Sequence, residues 1–167
     1  SSRSLKLNSP NKSYLSNIYQ IWAYSLYDQH KYQKAIHKYK QAASYDQRVE
    51  EIYNGWGSSL SQLGKFDEAI EKYNEALKIC PHYPLAYMNR ILALLLKNNE
   101  KEALRYYEQI PEGSYIMGNK NYMAKRFKQE LEMLDVRVSE RTDQDEIMLI
   151  QERKKGVERL LELLSGK

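Results

Sequence analysis

Three histidines and one cysteine are the side chains of this 167-residue chain best suited to metal or nucleophilic chemistry. His30 and His37 lie seven residues apart, His30 in a turn, with no cysteine or acidic cluster beside them. A metal needs three or four converging ligands, so both read as surface histidines. Cys80 has only His82 as a local partner, and a thiol without an activating cation is a structural residue, here at a helix end. A single cysteine also excludes a disulfide within the chain. No glycine-rich phosphate loop or Ser/His/Asp spacing is present. The carboxylates of Asp67, Glu68, Glu71 and Glu75 alternate with Lys65, Lys72 and Lys78, which describes a solvated helix face. The expectation is no enzyme, no cofactor and no metal.

Lys31, Lys34 and Lys38 form a basic strip with Tyr32 and Tyr39 nearby, a pattern that could meet phosphates. The net charge is only +4, and six acids against three lysines over residues 50–83 break any basic track, so no nucleic acid is expected as partner. Hydrophobic residues make up 42% of the chain, with 7 Gly and 4 Pro, enough for a core and too few turn-formers for a loop-rich all-β protein. The longest apolar run, Ile91–Leu96, is six residues, far short of the ~20 that span a membrane. There are 15 Tyr but 2 Phe and 2 Trp. Tyrosine joins ring area to a polar tip and suits half-buried faces. The N-terminus has no signal-peptide pattern and opens Ser-Ser-Arg-Ser, which reads as a piece of a longer, cytoplasmic protein.

The elements that position these residues follow from an internal repeat. Offset by 34 residues, Tyr19 falls on Tyr53 and Tyr87, Trp22 on Trp56, and Leu26 on Leu60 and Leu94. Tyr32 falls on Phe66, Ala35 on Ala69 and Ala103, Ile36 on Ile70 and Leu104, Tyr39 on Tyr73 and Tyr107, and Ala42 on Ala76. Within a unit the apolar spacing is helical: Tyr19, Trp22, Ala23 and Leu26 share one face, and Tyr32, Ala35, Ile36, Tyr39, Ala42 and Ala43 share another. Asp28–Lys31 and Gln62–Lys65 are short turns, and Gly64 supplies the positive φ common after a helix C-terminus. Each unit is therefore a pair of antiparallel helices, and the alanines with Gly57 let the paired backbones approach.

These columns resemble the tetratricopeptide repeat (TPR) family. The best match is Tyr53-x-x-Trp56-Gly57-x-x-Leu60-x-x-x-Gly64-x-Phe66-x-x-Ala69-Ile70-x-x-Tyr73-x-x-Ala76-Leu77, followed by Pro81. The third unit departs from it: Arg90 replaces the tryptophan, Ile91 the small residue, Glu100 the aromatic and Ile110 the last alanine, and a looser helix crossing is expected there. The resemblance implies an all-α fold, a right-handed solenoid of three TPR helix-turn-helix units (16–49, 50–83 and 84–117) within residues 16–117. Residues 1–15 read as a flexible arm. Residues 118–136 read as a capping helix with Met123, Phe127, Leu131 and Leu134 on one side. Residues 137–167 read as a polar break and an amphipathic helix carrying Ile147, Ile150, Val157, Leu161 and Leu164, interrupted by Lys154 and weakened by Gly156. That helix folds back on the repeats or, alternatively, makes a homo-oligomer through residues 143–165. Glu152, Glu158 and Glu162 disfavour a membrane surface.

The resemblance also implies a non-enzymatic scaffold that binds a peptide or helix of a partner protein in a concave groove lined by the first helix of each unit. Helical geometry then selects first-helix positions outside the core columns: Asn17, Gln20, Tyr24, Tyr27 and Asp28; Glu51, Asn54, Gly55, Ser58, Ser61 and Gln62; Leu85, Met88, Asn89, Leu92 and Leu95. Gln20, Tyr24, Tyr27, Asn54, Ser58, Met88 and Asn89 are the expected peptide contacts. Gly55, Ser58 and Ser61 leave room for a chain, and Leu92, Leu95 and Leu96 read as covered by the cap. Some TPR proteins hold a chaperone's C-terminal carboxylates with cations on this face. The matching places here are Gln20, Tyr24, Gly55, Leu85 and Asn89, with no cation. A co-chaperone of that type is not expected. The rival functions are self-assembly through the last helix, or a substrate-docking segment of a larger enzyme.

Overall fold

The computed structural model describes residues 9–97, 99–109 and 142–165, with isolated positions between 125 and 140. It divides into two compact units, Ser1–Tyr83 and Pro84–Lys167. No strand occurs among the described residues.

In the first unit, α1 (Ser9–Asp28) packs on α2 (Tyr32–Tyr45), α2 on α3 (Glu50–Gln62), and α3 on α4 (Phe66–Ile79). Three-residue turns join the paired helices, which brings consecutive helices back antiparallel. The turns are copies of one another. Lys31 N donates to Leu26 O at 2.9 Å, and 34 residues later Lys65 N donates to Leu60 O at 3.0 Å. His30 (φ 58°) and Gly64 (φ 73°) occupy the same left-handed position just before that bond. Histidine tolerates it with the help of a 2.9 Å contact between His30 Nδ1 and Tyr32 Oη.

The alanine column lies at the tightest contacts. Ala23, Ala35, Ala42, Ala69 and Ala76 are fully buried, and Tyr39 and Tyr73 fill the space beside them. A Cβ on Gly57 would meet Tyr73 Cε1 at 2.7 Å and Ala69 O at 3.1 Å. Only glycine fits where α3 crosses α4, so the crossing distance is written into residue 57.

Two expectations change here. Residues 9–15, assigned to a flexible arm, are the first turns of α1, because Pro10 is compatible with a helix start. Trp22, assigned to the core, is 49% exposed. It lies on the helix surface, stacked with Tyr19 at 6.3 Å, under Lys38 Nζ at 3.6 Å from its ring centre. Trp56 repeats the arrangement with Tyr53 at 6.4 Å and Lys72 Nζ at 4.4 Å. Lys38 of the predicted basic strip therefore serves as a ring cover.

In the second unit, α5 (Pro84–Leu96) packs on α6 (Glu100–Glu108) and on α7 (Gln144–Ser165, the last helix). The turn bond recurs a third time, from Asn99 N to Leu94 O at 2.8 Å. Asn99 caps α6: its Oδ1 accepts from Glu102 N at 3.3 Å while its Nδ2 donates to the Glu102 carboxylate at 2.6 Å. Arg90, which replaces the tryptophan, is buried with its guanidinium 3.7 Å from the ring centre of Tyr106. Tyr106 stands at the place of Lys38 and Lys72, so cation and ring have exchanged helices while their contact persists.

The last helix folds back within its unit. Ile150 and Val157 are buried, and a Cβ on Gly156 would lie 3.0 Å from Leu96 Cδ2 and 3.6 Å from Leu92 Cδ1. Gly156, read as a weak point, is the place of closest approach to α5. Lys154, read as an interruption, pairs with Asp135 at 2.6 Å. Residues 110–117 of the third unit lie outside the described residues. So do Met123, Phe127, Leu131 and Leu134, on which the capping helix rests.

Gly57→Ala should lower stability by about 1–2 kcal/mol in urea unfolding, because the cost of overpacking against Tyr73 exceeds the helix-propensity gain of alanine. Val157→Asp should cost roughly 3 kcal/mol or more and raise hydrogen exchange across residues 144–165, because it places a charge in the fully buried seam with α5.

Candidate functional site

Helix pairing uses the sides of α1 and α3 that carry Ala23, Ile52, Gly57 and Leu60, and leaves another face of both helices outside the core. On it, Tyr24 is 62% exposed, Gln20, Tyr27, Asn54, Ser58 and Gln62 are half-buried, and Asp28 and Glu51 are exposed. The two helices are tied across this face by Gln62 Nε2, which donates to Tyr27 Oη at 3.3 Å. The Tyr27 ring also packs edge-on against Tyr32, 5.4 Å between centres.

Gly55 does not leave room for a bound chain as expected. A Cβ there would strike Cζ and Oη of Tyr39, so the gap is filled from within by the end of that ring. Ser61 is also buried. Ser59 is fully buried and donates to Gly55 O at 2.9 Å, which uses up its polar atom inside the helix.

The hydroxyl end of Tyr39 connects core and face. The residue is 3% exposed, and its hydroxyl end lies at the gap left by Gly55. Burial raises its pKa well above the ordinary 10.0, and Tyr27, Asp28, Tyr24 and Tyr83 add to the rise in that order. Tyr83 is pushed up to about 12, by burial first and then by Glu51, Glu50 and Cys80. Tyr39 thus feels the end of α1, and Tyr83 the start of α3. Helical phase in the sequence places Tyr24, Tyr27, Asp28 and Glu51 outside the core columns of the first helices. It missed Tyr39, whose column is a core column, and Tyr83, whose only signal is its place between Pro81 and Pro84.

The second unit separates its two expected contacts. Asn89 is half-buried, whereas Met88 is 4% exposed and belongs to the core. Met88 is thus corrected from contact to packing residue, and Leu92, Leu95 and Leu96 are covered within the same unit. The mistake has a simple cause: α5 is apolar over most of its surface, so phase alone does not tell its outer side.

A deprotonated Tyr39 is disfavoured by burial and by neighbouring negative charge. The unfolded chain loses this proton near pH 10.0 and the folded one at higher pH. The stabilising term is therefore intact below pH 10 and is lost as pH rises above it. Tyr39→Phe should reduce the fall in melting temperature between pH 9 and pH 11, followed by circular dichroism.

The family model described as TPR repeat matches residues 57–98. Among solved structures, the second TPR of Spaghetti (RPAP3), bound to the HSP90 peptide SRMEEVD, is 19% identical with a TM-score of 0.57, covering 60% of this chain and 92% of its own. MamA is 25% identical with a TM-score of 0.55, covering 58% of this chain and 56% of its own. The Yersinia enterocolitica type III secretion chaperone SycD, in complex with a peptide of the translocator YopD, is 20% identical with a TM-score of 0.53, covering 83% of this chain and 93% of its own. A comparison with curated proteins found no match. Residues 57–98 thus match a TPR repeat, and the paired helices of the chain have the fold that these solved structures share.

Proposed function

We propose that this chain is a non-enzymatic protein-interaction module that binds a peptide or helix of a partner protein on the first-helix face of its TPR units. The reading is carried by one observation. Helix pairing leaves Tyr24 exposed beside the half-buried Gln20, Tyr27, Asn54 and Ser58 on α1 and α3. An exposed ring next to amide and hydroxyl groups offers contact area and backbone-directed hydrogen bonds together. Two of the similar structures are TPR-type proteins with peptides bound, which supports the same use of the fold here. The cation-free face argues against a chaperone C-terminal carboxylate as the ligand, because a carboxylate placed there lacks a charge partner. Self-association through residues 143–165 is left with less apolar surface, since Ile150 and Val157 are spent on packing inside their own unit.

Quantitative pull-down of the partner, identified by cross-linking, should weaken at least tenfold with Tyr24→Ala/Asn54→Ala at unchanged helicity. Asn89→Ala, measured separately, reports on the second unit. Binding unaffected by the double substitution would remove this face as the site.

A further inference from the structure

Among the described residues, most of the exposed large apolar side chains lie on one helix. On α1, Tyr14 is 69% exposed, Ile18 41%, Ile21 63% and Trp22 49%. Helical phase puts Tyr14, Ile18 and Ile21 in one stripe with Asn11, Ser25 and Asp28, spaced alternately three and four residues apart. Every member of the stripe is exposed. It lies on the opposite side of the helix from Ser16 and Ala23, which are buried where α1 meets α2. The stripe therefore points away from the helix that α1 pairs with.

In the 34-residue register, Ile18, Ile21 and Ser25 correspond to Ile52, Gly55 and Ser59 of α3. On α3 these columns lie under α2: Ile52 and Ser59 are fully buried, and the end of the Tyr39 ring fills the gap at Gly55. α1 keeps the apolar face but carries Ile21 in place of the glycine. A helix laid on α1 as α2 lies on α3 would drive its tyrosine into that side chain, because even a Cβ in this column strikes the ring. The face fits a different occupant, and its own pattern describes one. The stripe is mirrored about a point between Tyr19 and Gln20: Ile18 answers Ile21, the large Tyr14 answers the small Ser25, and Asn11 answers Asp28. Two such helices laid antiparallel set isoleucine on isoleucine and ring against serine, and the Asn11 amide can donate to a carboxylate. Lys12 and Asp28 are the only charges in residues 9–28. Antiparallel pairing sets the positive end of one helix beside the negative end of the other, with no charge between them, whereas parallel pairing sets like beside like.

We propose that the exposed stripe of α1 is a homodimer interface, on which a second copy of this chain lays its own α1 antiparallel about a two-fold axis. Ile18 packs against the partner's Ile21, and Tyr14 against the partner's Ser25. A contact of this kind uses the same patch on both copies, so the assembly closes at two. Tyr14, Ile18, Ile21 and Trp22 with the polar ends of the stripe cover roughly 500 Å² per copy, about 1,000 Å² in all, the low end for a specific interface. The dimer is accordingly weak and concentration-dependent. It is independent of the interaction reading above, because the stripe is a different side of α1 from the one that carries Gln20 and Tyr27. Residues 143–165 take no part in it.

The test is sedimentation equilibrium of the full chain from micromolar to millimolar concentration, which should show monomer passing to dimer and nothing larger. Ile18→Glu/Ile21→Glu should weaken dimerisation at least tenfold at unchanged helicity, and Ile21→Leu should retain it. Cross-linking reads the register. In a Cys80→Ser background, Ile18→Cys chains mixed with Ile21→Cys chains should form a disulfide in air several times faster than either variant alone. Tyr14→Cys mixed with Ser25→Cys should behave in the same way. A chain that stays monomeric at millimolar concentration would overturn the proposal, as would a dimer that Ile18→Glu/Ile21→Glu leaves untouched. Single variants that cross-link faster than their mixture would overturn it too, because that is the outcome of parallel pairing.

Discussion

The structure depends on how closely the two helices of a repeat can approach. Ala35 and Ala69 are fully buried, and Gly57 faces Tyr73 and the Ala69 carbonyl with no space for a methyl group. Two helices that meet over such small side chains have little freedom in separation, and the tyrosine beside the contact closes the gap at interior packing density. The turn geometry follows from it. Lys31, Lys65 and Asn99 each return a backbone N–H to the leucine five residues before, at 2.8–3.0 Å, so the same chain reversal is built three times. Residue 30 must then accept a left-handed backbone whether it is glycine or not.

A second regularity lies on the outside of the pairs. Trp22 lies across the helix surface and Trp56 packs half-buried against the core, with Lys38 and Lys72 over their rings. A ring under an ammonium group is removed from water without needing a core around it. Arg90 and Tyr106 keep the contact with the partners exchanged between helices. The attraction depends on ring and charge meeting, not on which helix supplies which. A column that looks broken in sequence is therefore intact as an interaction.

The abundance of tyrosine over phenylalanine has the same root. In a unit two helices deep, few positions are buried on all sides, so most rings end near water. Tyr27 reaches Gln62, Tyr32 reaches His30, and Tyr39 brings its hydroxyl out at Gly55. Phenylalanine would fill the same volumes but leave those edges without a polar tip. The core residue Tyr39 thereby becomes part of the surface on which a partner is expected, and the packing of α2 against α3 and the chemistry of the α1/α3 face are coupled through one side chain.

The sequence by itself determined the helix pairs, their 34-residue register and the positions of closest approach, because period and residue size are local properties that repeat in one dimension. It also determined which face of α1 and α3 lacks cations. Only the tertiary structure decided what lies against each column. Ile18 and Ile52 share a column, yet Ile18 is 41% exposed and Ile52 is fully buried, since Ile52 has α2 against it. Met88 and Asn89 are neighbours in one helix of nearly uniform hydrophobicity, and burial alone sorts them. Gly156 reads as a helix weakness until α5 is seen beside it. Exposure is a relation between segments distant in the chain, and hydrophobic phase within one helix carries no information about which neighbour will cover it.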